Sequence, residues 1–179
     1  RMNVVTGVNQ TALQLQETMA DEMDSDLVET TAHSGARPSH AKWQGKVFSR
    51  SGKSKKYPDF RRATGYGTGP GLGGWNCRHS FHPYFEGMAR TYGAGELKKL
   101  EEKSITYNGE KLTEYEASQR QRYMERQIRR WKREQQAMKA AGQSQEEANA
   151  KLKEWRALQS DFVEQTGLKR QYDRERVGG

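Results

Sequence analysis

Apolar residues recur at three- and four-residue steps near the start of the chain: Val4, Val5, Val8, Ala12, Leu15 and Met19. That period predicts an amphipathic helix within residues 1–26, with those side chains on its buried face. Acidic residues gather at its far end (Asp21, Glu22, Asp24, Asp26). They oppose the negative end of the helix dipole, so the helix should stop there.

The pattern changes in residues 27–95. Apolar runs become short, as in Val47-Phe48 and the stretch from Trp75 to Phe85, and glycine and proline interrupt them. All four prolines fall here, with the glycine-rich runs 65–71 and 73–74. Such density enforces turns and excludes long helices. Short strands and ordered loops around a small core are expected.

Residues 96–112 read as a short helix (96–102) followed by a hairpin, because Asn108-Gly109 lies between strand-forming residues and Asn-Gly is a strong type I′ turn signal. Residues 113–179 read as a basic helical hairpin and tail. Each arm opens with a capping-box pattern, Thr113 with Glu116 and Ser144 with Glu147, and each closes at a glycine, Gly142 and Gly167. The first arm carries Tyr115, Met124, Ile128, Trp131 and Met138; the second carries Ala148, Leu152, Trp155, Leu158 and Phe162. Together the segments predict an α+β protein: N-terminal helix, small loop-rich core with short strands, C-terminal basic helical hairpin.

Composition sharpens this picture. Only 32% of the 179 residues are hydrophobic, and the mean hydropathy is −1.14. One large core is not expected; exposed helix and partner-dependent structure are. The net charge of +8 favours contact with polyanions, DNA above all. The one cysteine, Cys77, cannot form an internal disulfide, which fits a reducing compartment. No apolar run approaches the roughly 18 residues that span a bilayer. The start at Arg1 lacks a secretory pattern and reads as the interior of a longer product.

Candidate chemistry concentrates in the middle segment, which holds every histidine and the cysteine. Cys77, His79 and His82 form a Cys-x-His-x-x-His pattern that His40 or His33 could complete as a zinc shell. The alternative is that these polar side chains hydrogen-bond across the loops and hold a glycine-rich scaffold together; the composition favours this one. Nucleophilic catalysis by Cys77 activated by His33, His40 or His79 has no accompanying signature. Glu29, Asp59 and Glu86 are the nearby carboxylates a metal-dependent nuclease would draw on, and their spacing points to nothing by itself. The glycine-rich run lacks the Gly-Lys-Ser/Thr ending of a phosphate loop. On the first arm, Arg122, Arg126, Arg129 and Arg133 share one stripe, with Arg130 beside it. This stripe is a candidate contact for DNA or an acidic partner, or else a solvated face.

Several short segments carry a resemblance. Arg37-Pro38-Ser39-His40, then Gly45-Lys46-Val47, then Asn76-Cys77-Arg78-His79 after a glycine- and proline-rich loop resemble the phage minor capsid protein 2 family, related to Mu F-type head morphogenesis proteins. Tyr107-Asn108-Gly109, Tyr115-Glu116-Ala117, Gly167-Leu168 and Tyr172-Asp173-Arg174-Glu175 extend the likeness through the tail. In the wider group a second cysteine often stands where this chain has His79. The resemblance implies a structural minor capsid protein of a tailed bacteriophage, assembled in the host cytoplasm, resident in the virion and placed near the portal. Its partners would be other capsid or portal proteins and packaged DNA bound without sequence preference, with no membrane. In that reading Arg37, His40, Trp43, Asn76, Cys77, Arg78 and His79 organise the loop core, no catalytic residue is assigned, and no cofactor is required unless zinc occupies the histidine–cysteine cluster. The competing readings are a metal-dependent hydrolase or toxin-like domain using that cluster, and a plain DNA-binding module. The balance leans away from an enzyme.

Overall fold

The computed structural model describes residues 2–178. The chain folds into two compact units, 1–101 and 102–179.

In the first unit, helix α1 (Met2–Glu22) precedes a three-stranded antiparallel sheet. Its strands are β1 (Leu27–Thr30), β2 (Val47–Ser49) and β3 (Phe81–Tyr84), with β1 central. Val28 faces Phe48 on one side and Pro83 on the other. Turns, loops and two short helices, α2 (Pro38–Ala41) and α3 (Phe60–Thr64), lie between the strands, and a third, α4 (Ala94–Leu100), follows β3. Asp59 caps α3 by accepting from the Arg62 amide at 2.7 Å. The core is small: Leu13, Ala20, Val28, Trp43, Phe48, Phe60, Leu72 and Phe81, with Tyr66 against it. Phe60 meets Phe81 edge-on at 4.9 Å between centroids.

Helix α1 buries a different face from the expected one. Val4, Val8 and Leu15 are 68%, 68% and 60% exposed, whereas Leu13 and Ala20 are buried. Polar anchoring explains the choice. The Asn9 side-chain amide donates to the carbonyls of Cys77 (3.0 Å) and His79 (3.3 Å), and the Asn76 amide donates to Thr6 Oγ1. A loop-rich core offers unpaired carbonyls, and a helix that satisfies them is held by them. The helix ends at Glu22, and Asp24 turns the chain at φ 49° towards β1.

The glycine-rich run 65–74 is a chain of tight turns. Thr68, Gly71, Gly74 and Cys77 amides donate to the carbonyls of Gly65, Thr68, Gly71 and Gly74 in succession. Backbone passes so close to backbone that a Cβ on Gly71 would lie 2.0 Å from the Gly65 carbonyl oxygen. Only glycine fits there.

In the second unit, β4 (Ile105–Tyr107) and β5 (Glu110–Leu112) form the expected hairpin. Asn108 and Gly109 both take positive φ (48° and 79°), as a type I′ turn requires. Long helices α5 (Glu114–Ala140) and α6 (Glu146–Thr166) follow, and a 3₁₀ turn at Tyr172–Glu175 closes the unit. The Thr113–Glu116 capping box forms. The Ser144–Glu147 box does not: Gln145 is the N-cap residue, and Ser144 Oγ accepts from Glu146 instead, at 3.4 Å. Helix α6 starts one residue later than that box needs. Gly167 closes α6 in the left-handed conformation.

The arms pack through Ala117, Gln121, Met124 and Ile128 of α5 and Ala148, Leu152, Gln159 and Phe162 of α6. Leu158, expected inside, is 38% exposed, and Gln159 replaces it at full burial. The tail is tied back by polar contacts. Arg170 grips Glu175 through two nitrogens (2.7 and 3.1 Å), Lys132 donates to the Glu175 carbonyl, and Gln121 donates to that of Lys169.

Candidate functional site

Three of the sequence-selected residues meet inside the first unit. His40 comes from the short helix α2, Cys77 from the end of the glycine run, and His79 from the approach to β3. All three are buried, at 1–2% exposure. His40 Nδ1 lies 3.4 Å from His79 Nδ1, and Cys77 Sγ lies 3.7 Å from each of these nitrogens. The atoms form a nearly equilateral triangle.

The outer edge of each ring is fixed. His40 Nε2 contacts the Pro70 carbonyl at 2.9 Å, and His79 Nε2 contacts Gln44 Oε1 at 3.0 Å. Gln44 Oε1 also accepts from the His33 amide at 3.1 Å, which settles which end of the carboxamide is oxygen. Both partners are therefore acceptors, so both Nε2 atoms carry the hydrogen. Trp43 packs against both rings, 4.6 Å from His40 and 4.7 Å from His79 between centroids. Burial is the main cause that lowers both imidazoles: His40 falls below its usual value, and His79, further opposed by His33 and His40, falls to about 3.

The other selected residues surround this triangle without joining it. His33 stacks on the His79 ring at 4.2 Å, and its Nδ1 lies 3.3 Å from an Arg78 nitrogen. Arg37 donates to the Trp75 carbonyl at 2.6 Å. Asn76 and Arg78 are exposed, and Asn76 takes φ 52°. His82 sits elsewhere, 3.5 Å from Glu29 Oε2 and 3.2 Å from Thr91 Oγ1.

The carboxylates weighed as nuclease ligands do not converge. Glu29 is fully buried and accepts from Arg90 Nε (2.9 Å), the Thr91 amide (3.0 Å) and the Thr91 hydroxyl (2.9 Å). Asp59 caps α3, and Glu86 pairs with Lys56 at the surface. Among the described residues, His40, Cys77 and His79 are the one group placed to hold a metal ion. Glu29 as a buried anchor and Gln44 as the orienter of His79 were not singled out from sequence. Glutamine carries no chemical signal, and only three-dimensional proximity reveals its role.

On helix α5, Arg122, Arg126, Arg130 and Arg133 are exposed and Arg129 is half-buried. Arg126 lies over the Tyr123 ring and Arg130 over that of Trp131, at 5.9 and 5.4 Å.

The model of the phage minor capsid protein 2 family matches residues 1–164. The chain belongs to that family. The chain is similar to a structural protein of Lactococcus phage LL-H, 34% identical over 153 residues. That match covers 81% of this chain but 38% of the relative, so the chain spans well under half of the LL-H protein. A structural protein of Lactococcus phage mv4 is 34% identical over 116 residues, covering 63% of this chain and 86% of the relative. No solved structure matches. The family match includes the loop core, the hairpin and most of both helical arms.

Proposed function

We propose that this minor capsid family chain is a virion component that joins other capsid or portal proteins and touches packaged DNA without reading its sequence. The observation that carries the reading is the family match over residues 1–164, together with two phage relatives named as structural proteins. Two surfaces support it. The apolar stripe of α1 (Val4, Val8, Leu15, Met19) is exposed, a surface of the kind proteins bury in assemblies. The arginines of α5 supply unspecific phosphate contacts. Among the described residues no helix is long and apolar enough to cross a membrane.

Cross-linking of purified virions with mass-spectrometric readout tests the assembly. Cross-links from this chain to another virion protein are expected; absence of the chain from purified particles overturns the reading. The DNA contact has its own test. Binding should weaken steeply with salt, and replacing Arg126, Arg130 and Arg133 with Gln should flatten the log–log slope by about 3. Salt-insensitive or absent binding removes this contact while leaving the assembly reading intact.

A further inference from the structure

Each imidazole of the buried triangle carries a hydrogen on Nε2, because a carbonyl oxygen faces each Nε2. Both Nδ1 atoms therefore turn inward, facing one another at 3.4 Å and Cys77 Sγ at 3.7 Å. Two ring nitrogens and a sulfur, each able to offer a lone pair, thus converge in a buried space that excludes water.

A cation suits that convergence. A tetrahedral zinc ion about 2.3 Å from sulfur and about 2.0 Å from nitrogen holds two nitrogens about 3.3 Å apart and nitrogen and sulfur about 3.5 Å apart. The observed separations are 3.4, 3.7 and 3.7 Å. The outer contacts also suit metal ligation, in which a ligating histidine donates its other N–H to a carbonyl and so fixes ring and tautomer. Here the Pro70 carbonyl serves His40 and Gln44 serves His79.

We propose that His40 Nδ1, Cys77 Sγ and His79 Nδ1 bind a zinc ion that staples the loop core of the first unit. Binding releases the thiol proton to solvent and leaves a thiolate on the metal. A water molecule takes the fourth position, since no further His, Cys, Asp or Glu among the described residues joins the group. All three ligands lie inside the core at 1–2% exposure, so the ion's work is to tie α2 to the glycine run and to β3. The site stands independently of the virion reading: the chain could bind zinc and fail to enter particles, or the reverse.

Metal analysis of the full chain, purified without chelator and re-equilibrated with excess zinc, should find about one zinc per chain. Cobalt(II) exchanged into the wild-type chain should give the intense near-ultraviolet thiolate-to-metal band, which needs no variant to interpret. His79→Ala should lower the zinc content at least tenfold, and His82→Ala should keep it. A folded wild-type chain that retains less than about a tenth of an equivalent and shows no cobalt–thiolate band overturns the proposal, as does retention of metal by a folded Cys77→Ala variant.

Discussion

Gln44 Oε1 accepts the Nε2 hydrogen of His79 at 3.0 Å, and this one contact sets which nitrogen of the His79 ring faces Cys77. The same oxygen accepts from the His33 amide, so Gln44 joins the loop before α2 to the approach of β3. Gln44→Ala strands two donors in a buried site, His79 Nε2 and the His33 amide. The expected loss is about 1–3 kcal/mol, within reach of thermal unfolding as a fall of several degrees in Tm. An unchanged Tm would show that the carboxamide carries no structural role.

The backbone approach at Gly71 makes a paired prediction. Gly71→Ala places a methyl 2.0 Å from the Gly65 carbonyl oxygen, and the turns on both sides must open. A loss above about 3 kcal/mol is expected, in the range of strained or overpacked cores. Gly95→Ala meets no atom within 4 Å and lies in the first turn of α4, so it should be neutral or slightly stabilising. Denaturant midpoints of the two variants check the contrast, and equal effects would contradict it.

Acid should weaken the first unit through Glu29. Burial by itself raises this carboxyl, but the Thr91 amide and hydroxyl and the Arg90 guanidinium prevail and hold it below its ordinary 4.5. A depressed carboxyl stabilises the fold above its unfolded value, and that stability is lost as pH falls through the folded value. Wild type should therefore lose stability below about pH 4.5, while Glu29→Gln, weaker at neutral pH, should lose less over the same range. Parallel pH–stability curves for the two would count against the buried anchor.

Glu125 and Gln159 give the second unit the opposite character. Burial is the main cause that raises the Glu125 carboxyl, with Arg174, 3.9 Å away, only partly offsetting it. A raised carboxyl opposes folding above its folded value, and the opposition fades as pH falls through it. Gln159 is wholly buried, and neither amide atom has a hydrogen-bond partner. Gln159→Met keeps the volume and removes the unsatisfied amide, so a gain of about 1 kcal/mol or more is expected. A lower Tm would instead mean that the amide is paired in solution.

Legibility followed chemistry more closely than packing. The Asn108-Gly109 turn, the Thr113 cap and the Gly167 stop were readable because backbone conformation demands those residue types. Buried faces were harder. Val4, Val8 and Leu15 made the stronger apolar stripe on α1, yet Asn9 found two unpaired carbonyls and turned the other face inward. On α6, Gln159 lies at the periodic position between Trp155 and Phe162, and polarity argued for Leu158 in its place. The meeting of His40, Cys77 and His79 was suggested by residue type, but the exclusion of His82 depended on its facing Glu29 across the sheet, which no spacing reveals.

The account rests on residues 65–79 being a rigid scaffold despite holding no regular element before β3. Native-state amide hydrogen exchange addresses this directly. The Leu72, Trp75 and Cys77 amides donate to the Thr64, Gly69 and Gly74 carbonyls, and they should exchange as slowly as the central strand amides, only on unfolding of the whole unit. Exchange at the rate of open loops, with β1 still protected, would contradict it.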